Sequence, residues 1–447
     1  MAIYLGGKEV GITTGMPTKE IEITENGVYN VKEYATARVF MGGEPVVIDL
    51  PEIFNTASFI FDFKINEEKC LLGCNLTSSG LWLYNTKSKE IIQLYNTGRW
   101  DNFWQLNETT YLVKDSTYGF IVYNSIDDSI KYIETKNDAE FYGSIYYMQQ
   151  VSQNKWLLTS SSSNSGLCLF NLETNTVIRI YNKGYAYLYW HSVTNTKYIA
   201  GHAGSSTPLI LYNSEDDSVK EIYEYGRFVE NFENVGNKCV MSARTTAGIL
   251  VYNSEDDSVI KVYDTGYAWE YLHKVSENKC LIAGDRAAAT GLILLNLEDY
   301  SIKFLKDTGI MWSNVKQVTN EKFLISSSNT SGTANYGLYL YNNTDDTIST
   351  VLSGYPSGWD IFIQFDNLWI ISGTYKSSSS ANGAVLYNSI DDSCVRFYTS
   401  GNNFDIVEKK GDVFILSGSD KQINPRTIEY NMEDGSVKIT KYYIGDF

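Results

Sequence analysis

The sequence predicts an all-β fold built from about nine four-stranded repeats, and three observations lead to this. One segment recurs along the chain. It consists of an apolar residue, Tyr and Asn, then four mostly acidic or polar residues, and then Ser or Thr and a β-branched run. Its copies lie about 43 residues apart on average, a spacing typical of stacked supersecondary units. Amphipathic patterns of helix length are absent, so strands must build each unit. Repeats 1 to 9 are marked by Asn85, Asn124, Asn171, Asn213, Asn253, Asn296, Asn342, Asn388 and Asn431.

The repeat that begins at Gly266 shows the four strands. They are TGYAWEYLHKV, KCLIAG, GLILLN and SIKFL, separated by turn and loop residues. Four short strands per unit match one blade of a β-propeller, and the apolar second and third strands suit sheets stacked face to face. The sequence therefore predicts a single β-propeller over residues 51–447, and it leaves open whether there are eight or nine blades. The pattern resembles kelch-like and WD40-like propellers in architecture only, because the kelch Gly-Gly doublet is absent.

Chain direction places two kinds of connection at opposite ends of each predicted sheet. One end carries acidic hairpins such as SIDDS at 125–129 and SEDDS at 214–218. We interpret these as turn chemistry rather than calcium ligands, because Asn, Asp and Ser bond the local backbone and an EF-hand-like ligand spacing is absent. The six cysteines are too sparse for a disulfide scaffold, and we expect reduced core residues with no metal or cofactor. They are Cys70, Cys74, Cys168, Cys239, Cys280 and Cys394.

The opposite end carries the candidate binding residues. Ser-, Gly- and Asn-rich connections of changing length occur at 75–80, 159–166, 326–337 and 372–383. Beside them, an aromatic residue repeatedly stands six residues before a large apolar residue of the next first strand. Two interpretations stay open: the rings wedge between neighbouring blades, or they form stacking platforms for sugars. The candidate residues are Trp100, Tyr187, Trp269, Trp312 and Trp359.

Residues 1–50 lack the repeat and form a separate predicted module. IEITENGVYNV at 21–31 alternates in polarity on both sides of Asn26-Gly27, which predicts a β-hairpin. The stretch ITENGVYNVKEYATARV at 23–39 resembles a short module of structural and tail-associated proteins of phages that infect Gram-positive bacteria. The shared pattern is Glu-Asn-Gly-x-Tyr-x-Val followed by Tyr and Ala-x-Val. The resemblance implies a virion component, made in the host cytoplasm without a signal peptide and attached through this segment.

Composition and motifs narrow the function classes. The formal net charge is −17, which disfavours a nucleic-acid partner, and neither a signal peptide nor a membrane-spanning run is expected. We expect a protein that is not an enzyme, because the chain has no sialidase-type Ser-x-Asp-x-Gly-x-x-Trp box, no Gly-x-Ser-x-Gly elbow and no His-Glu-x-x-His motif.

The leading hypothesis is a phage virion protein whose propeller binds a host-surface component, most simply a wall polysaccharide. The alternatives are a purely structural virion protein that decorates the capsid or bridges tail and baseplate, and a cellular scaffold propeller. The expected partners are other virion proteins, a host polysaccharide and, within the virion, further copies of the chain; neither nucleic acid nor membrane is expected.

Overall fold

A computed structural model describes residues 58–441 except 75–79, 89, 116–118, 137–144, 161–165, 184–186, 203–207, 225–228, 244–247, 265–268, 285–290, 307–310, 329–336, 354–358, 374–382, 400–403 and 418–425. Of residues 1–57 it describes the backbone of six strands. The described part of the chain is all-β, and no helix in it is long and apolar enough to cross a membrane.

Each repeat contributes four consecutive strands. Repeats 1 to 3 contain β7 (Ser58–Lys64), β8 (Lys69–Cys74), β9 (Leu81–Asn85) and β10 (Ile91–Tyr95); β11 (Trp100–Gln105), β12 (Thr110–Asp115), β13 (Gly119–Asn124) and β14 (Ile130–Tyr132); and, after β15 (Glu134–Lys136), β16 (Ile145–Ser152), β17 (Lys155–Ser160), β18 (Leu167–Asn171) and β19 (Thr176–Tyr181). Repeats 4 to 6 contain β20 (Tyr187–Ser192), β21 (Lys197–His202), β22 (Leu209–Asn213) and β23 (Ser218–Tyr223); β24 (Val229–Val235), β25 (Lys238–Ala243), β26 (Ile249–Asn253) and β27 (Ser258–Tyr263); and β28 (Trp269–Ser276), β29 (Lys279–Gly284), β30 (Leu292–Asn296) and β31 (Ile302–Lys306). Repeats 7 to 9 contain β32 (Met311–Gln317), β33 (Lys322–Ser328), β34 (Gly337–Asn342) and β35 (Thr347–Ser353); β36 (Trp359–Phe365), β37 (Leu368–Gly373), β38 (Ala384–Asn388) and β39 (Cys394–Tyr398); and β40 (Ile406–Lys410), β41 (Val413–Ser417), β42 (Arg426–Asn431) and β43 (Val437–Lys441).

The nine repeats form nine sheets in which the four strands pair in chain order, first to fourth. Neighbouring strands within a repeat are antiparallel, for example β28 with β29, β29 with β30 and β30 with β31. The predicted number of strands in each unit is therefore confirmed, and the number of repeats is nine. This array is consistent with a propeller-like repeat fold; closure into a ring stays a prediction.

Burial follows the position of a strand in its sheet. The third strands of repeats 1 to 7 are buried almost throughout, as in Leu292–Asn296. Their apolar side chains point to both faces of the sheet, and both faces are covered. Most fourth-strand residues are half-buried or exposed, as in Ile302–Lys306. Cys70, Cys168, Cys239 and Cys280 are buried free thiols and Cys394 is a half-buried one, as predicted; the side chain of Cys74 lies outside the described residues.

Contacts along the chain group into two compact units. One comprises Met1–Trp190 and Asn213–Val219, and the other comprises His191–Tyr212 and Lys220–Phe447. In the first, Leu71, Leu83 and Val113 belong to one buried cluster. In the second, buried apolar residues from consecutive repeats pack together, such as Val251 with Ile282. The predicted boundary between residues 50 and 51 stays a prediction.

The amino-terminal strands correct one expectation. They are β1 (Ile3–Leu5), β2 (Lys8–Val10), β3 (Glu20–Ile23), β4 (Tyr29–Asn30), β5 (Thr36–Val39) and β6 (Val46–Asp49). The hairpin predicted around Asn26-Gly27 is wrong, because β3 pairs in parallel with β5, while β4 pairs with β7 of repeat 1. An isolated two-stranded hairpin is marginal in water, and these two strands instead join larger sheets.

A glycine before the third strand is required in several repeats. Gly80, Gly166, Gly248 and Gly383 have φ between +63° and +76°. At each of them, a Cβ atom would collide with the carbonyl oxygen of the Tyr that ends the fourth strand of the same sheet, which is Tyr263 for Gly248. The glycine therefore allows both the left-handed backbone and the close approach of the fourth strand.

We predict that Gly248→Ala lowers the free energy of unfolding by about 2–4 kcal/mol, which combines a left-handed alanine with a backbone collision. Gly411→Ala is the matched control, because Gly411 has φ +61° and open space around its Cβ position, so it should lose only about 1 kcal/mol. Urea titrations of the two variants measure the difference. Equal losses would contradict the role of the collision.

Candidate functional site

The acidic hairpins are held by their own side chains. The Asn that ends each third strand accepts a backbone hydrogen bond from the residue two positions later, as Asn124 Oδ1 does from the Ile126 N–H at 2.9 Å. In repeats 2 to 8 the fourth residue after this Asn adopts a left-handed backbone, with φ between +52° and +59° at six Asp or Asn positions and at Tyr300. Asp and Asn tolerate this conformation better than most residues, so the predicted turn chemistry is confirmed. These residues are Asp128, Asn175, Asp217, Asp257, Tyr300, Asp346 and Asp392.

The left-handed aspartates also bind a lysine of the preceding repeat. Each of these lysines begins the second strand of its own sheet, and its Nζ reaches the carboxylate at 2.6–2.8 Å. The side chains are largely buried, with 24% exposure for Lys279 and 25% for Asp346. A tyrosine hydroxyl often donates to the same carboxylate, as Tyr341 does to Asp346 at 2.8 Å. The pairs are Lys69–Asp128, Lys155–Asp217, Lys197–Asp257, Lys279–Asp346 and Lys322–Asp392.

These contacts shift the pKa values of two of the aspartates and of the tyrosines that donate to them. Burial raises the pKa of Asp346, but the hydrogen bonds from Lys279 and Tyr341 outweigh it and hold the pKa of this carboxyl below its usual value. Asp257 has the same balance with Lys197 and Tyr252. Burial, followed by the hydrogen bond to the carboxylate, raises the pKa of Tyr341 well above its usual value. Asp257 and Asp346 are therefore ionised at neutral pH and act as links between repeats.

The five candidate aromatic residues are not available for stacking on a ligand. Trp100, Tyr187, Trp269, Trp312 and Trp359 all begin or nearly begin a first strand, and each is at most 1% exposed. This corrects the expectation that they form ligand-binding platforms, because a sugar needs an open ring face. The structure instead fits the wedge interpretation.

In several repeats the ring that contacts the buried aromatic residue is a tyrosine at the end of the preceding repeat, whereas Trp312 contacts Tyr339 of its own repeat. Trp100 meets Tyr95 edge-on at 5.3 Å between ring centroids, and Trp269 meets Tyr263 at 5.7 Å. Phe404 meets Tyr398 in the same way at 5.8 Å. Sequence reasoning missed these tyrosines and Phe404. The available signal was the recurrence of Tyr ten residues after the marker Asn in several repeats.

Buried polar groups lie where the second strands end, next to these rings. Lys114, Asp115, Ser242, Ser326 and Ser372 are at most 1% exposed. Ser242 Oγ donates to the carbonyl of Trp269 at 2.5 Å, and Ser372 Oγ donates to that of Phe404 at 3.3 Å. The end of a second strand thus binds the backbone of the residue that begins the next repeat. The Ser-rich connections at 75–79, 161–165, 329–336 and 374–382, which continue from these ends, lie outside the described residues.

The first strands of repeats 4 to 7 carry titratable residues at one shared position, four residues after the aromatic position. These residues are His191, Glu233, His273 and Lys316. Burial lowers the pKa of both imidazoles, and Glu233 acts on both in the opposite direction. Glu233 Oε1 accepts the backbone N–H of Lys274 at 3.0 Å, so this carboxylate links two first strands. No group of three metal-ligating side chains occurs in the part of the chain that the structure describes.

Comparison with known proteins gives only weak structural similarity. No protein-family model matches the chain, and no curated protein matches it. Among solved structures, it is similar to the computationally designed Ika8 protein, with 8% identity, a TM-score of 0.39, and coverage of 77% of this chain and 96% of that one. It is also similar to U3-55K, with 10% identity, a TM-score of 0.33 and coverage of 61% and 88%. A third similar structure is dihydro-heme d1 dehydrogenase NirN, with 9% identity, a TM-score of 0.37, and coverage of 75% of this chain and 73% of that one. Similarity at this level carries no inference about function.

We predict that Asp346→Asn lowers the free energy of unfolding by about 1–3 kcal/mol, because it leaves the largely buried Lys279 ammonium without its charged partner. Lys87→Met is the control, because the Lys87–Glu68 pair is exposed, at 77% and 54%, and exposed pairs contribute little. We therefore expect no measurable change for the control. Urea titrations at neutral pH compare the two, and an equally small effect of Asp346→Asn would contradict the proposed role of the inter-repeat pair.

The same pair predicts the sign of a pH effect. A carboxyl whose pKa is lowered on folding stabilises the folded state above its unfolded pKa of about 3.9, and this contribution disappears as the pH falls through the lowered value. The stability difference between the wild type and Asp346→Asn should therefore be constant from about pH 7 to 5 and shrink below about pH 4. Urea midpoints of both proteins across this range test it. A difference that grows on acidification would refute the direction of the shift.

Proposed function

We propose that this chain is a non-enzymatic virion protein of a phage, and that its repeat array binds a host-surface polysaccharide through the connections between second and third strands. The observation that carries the proposal is a contrast between the two ends of the sheets. The fourth strand begins five or six residues after the marker Asn in every repeat, whereas the second-to-third connections range from three residues at 116–118 to ten at 374–383.

The contrast has a physical cause at the hairpin end. The left-handed aspartate must meet the lysine of the preceding repeat, so a hairpin of another length would misplace the carboxylate. The opposite connections differ in length from repeat to repeat, and binding residues concentrate on variable loops held by a rigid scaffold. The Ser and Asn side chains of these connections offer hydroxyl and amide groups that suit the polar edges of sugars.

The burial of the aromatic rings limits the ways in which the chain can bind a sugar. Because Trp269 and its equivalents are wedged between strands, the proposed sugar contacts come from the polar connections and not from ring stacking. Polar contacts to single sugars are weak, and several related sites on one array gain avidity for a repeating polymer. The resemblance of residues 23–39 to a phage module supports attachment of the amino-terminal segment to other virion proteins.

A second candidate function, a structural virion role through protein contacts, is favoured by apolar side chains on the fourth strands. Phe304 and Val395 are each 50% exposed there. Contacts with another protein would cover such side chains, whereas polysaccharide binding at the sheet ends would not.

We predict that fluorescently labelled protein binds host cells, and that replacing residues 374–382 with Ser-Thr-Tyr, the sequence of 116–118, weakens this binding severalfold. The replacement keeps Gly383, which takes the place that Gly119 has after 116–118. The replacement borrows a connection that the chain already uses. The control is Ile390→Ser in the hairpin of the same repeat, at the opposite end of its sheet, which should bind normally. Binding measured over a range of protein concentrations, with circular dichroism as the folding check, gives the comparison.

Immunogold labelling of purified virions tests the other half of the proposal. Label at the tail tip agrees with host attachment, whereas label along the tail or on the head with no cell binding would favour the structural role. The absence of label from every particle would refute the virion proposal. If the loop replacement and Ile390→Ser bind cells equally well, the contacts lie elsewhere than the connection at 374–383.

A further inference from the structure

One outer sheet edge in this chain is covered by an added strand. In repeat 3, β15 pairs in parallel with the fourth strand β19, with Glu134 opposite Thr176 and Lys136 opposite Ile178. The Glu134 N–H donates to the Asn175 carbonyl at 3.1 Å, which begins the pairing. The chain therefore shows that a fourth strand of this repeat type accepts a further strand on its outer edge.

The fourth strand of repeat 3, which pairs with β15, is more buried than the fourth strands of other repeats. Thr176 and Val177 of β19 are buried, at 6% and 0% exposure. The equivalent serines and apolar residues of repeats 5 and 6 are exposed or half-buried. Phe304, on the outer strand β31, keeps half of its surface exposed. Because β31 ends its sheet in the order β28-β29-β30-β31, its outer backbone groups face no strand among the described residues.

The charge of the fourth strands differs from that of the whole chain. The chain has a net charge of −17, yet the described fourth strands contain Lys or Arg in seven repeats and only one acidic residue, Glu221. In β31 the sequence Ile-Lys-Phe-Leu-Lys places Lys303 beside Phe304. Lys303 Nζ donates to the Asp346 carbonyl at 2.9 Å, and Lys303 as a whole stays exposed. An ammonium has three donors, so this contact leaves capacity for a carboxylate.

We propose that the outer edge of β31 receives the acidic strand Glu20–Ile23 from a second copy of this chain. The sequence of that strand is Glu-Ile-Glu-Ile. Neighbouring residues of a strand face opposite sides, so such a strand places its carboxylates on one side and its isoleucines on the other. The edge of β31 likewise offers Lys303 and Phe304 as neighbours in sequence, and the two patterns are complementary.

The backbone of the proposed donor is suitably placed for such pairing. In its own sheet, with the order β3-β5-β6, the strand Glu20–Ile23 is at one end. Its partner β5 occupies one edge, and no described strand occupies the other. Strand addition of this kind gains main-chain hydrogen bonds, while side chains set the specificity. Because donor and acceptor are different surfaces, the contact is head-to-tail and joins more than two copies.

Sedimentation velocity of the full chain at low salt tests the proposal, over about two decades of micromolar concentration. We expect species larger than a monomer to grow with concentration and to decline as salt screens the charges. The double variant Lys303→Glu, Phe304→Glu should weaken association by about tenfold or more. Ile126→Glu is the matched control, because Ile126 is an apolar hairpin residue that is 75% exposed, and its association should be unchanged.

Charge reversal gives an independent readout. Lys303→Glu alone should weaken association, and combining it with Glu20→Lys and Glu22→Lys should restore it, a result that general damage to the fold would not produce. Circular dichroism and thermal unfolding confirm that each variant folds. A chain that stays monomeric, association that survives the double variant, or a charge reversal without rescue would each overturn the proposal. The chain could also stay monomeric and yet bind a peptide of residues 19–26. The edge of β31 would then accept an added strand, but a second copy would not supply it, and the assignment to a second copy would be overturned.

Discussion

The rest of the structure depends on one residue position, the fourth after the marker Asn of each hairpin. There the backbone must turn left-handed to close the hairpin, and in five repeats the residue is an Asp that also binds the Lys of the preceding repeat. A single carboxylate thus serves a local requirement and a long-range one. Local turn chemistry would accept Asn or Gly equally well, so the Asp is explained by the neighbouring repeat and not by the hairpin alone.

This double role fixes the hairpin end of five sheets and accounts for much of the asymmetry of the repeat. In these five hairpins a shift of one residue would break both the turn and the ion pair, which explains why their length and composition change little. At the opposite end, the strand ends are tied by backbone carbonyls, such as the bond from Ser242 to Trp269, and these bonds do not involve the connecting residues themselves. Sequence variation is therefore tolerated at the end where a binding function can evolve without cost to the scaffold.

The sequence was sufficient for the repeat and insufficient for contacts between elements. The period of Asn85 to Asn431 predicted nine four-stranded units because hairpin residues are constrained locally. The aromatic positions were found correctly, but their burial depends on tyrosines such as Tyr263 at the end of another sheet, and spacing alone does not show which side of a strand meets them. The turn signal at Asn26-Gly27 was misleading for a related reason, since β4 pairs with β7, a partner far along the chain.

Three boundaries between repeats lack the ion pair. They indicate that neighbouring repeats need a contact at this position, but that the contact can be of different chemical kinds. Between repeats 2 and 3, Thr110 and Asn175 replace Lys and Asp, and β15 instead bonds to the Asn175 carbonyl. Between repeats 5 and 6, Lys238 lies over the ring of Tyr300 at 4.5 Å, in place of a carboxylate. Between repeats 8 and 9, Leu368 packs in an apolar cluster with Phe414 and Tyr430. At two of these boundaries both partners have changed, whereas between repeats 5 and 6 Lys238 is kept and only the aspartate is replaced, by Tyr300. All three boundaries still have a contact, as expected if every repeat must be fastened to its neighbour before its loops can differ.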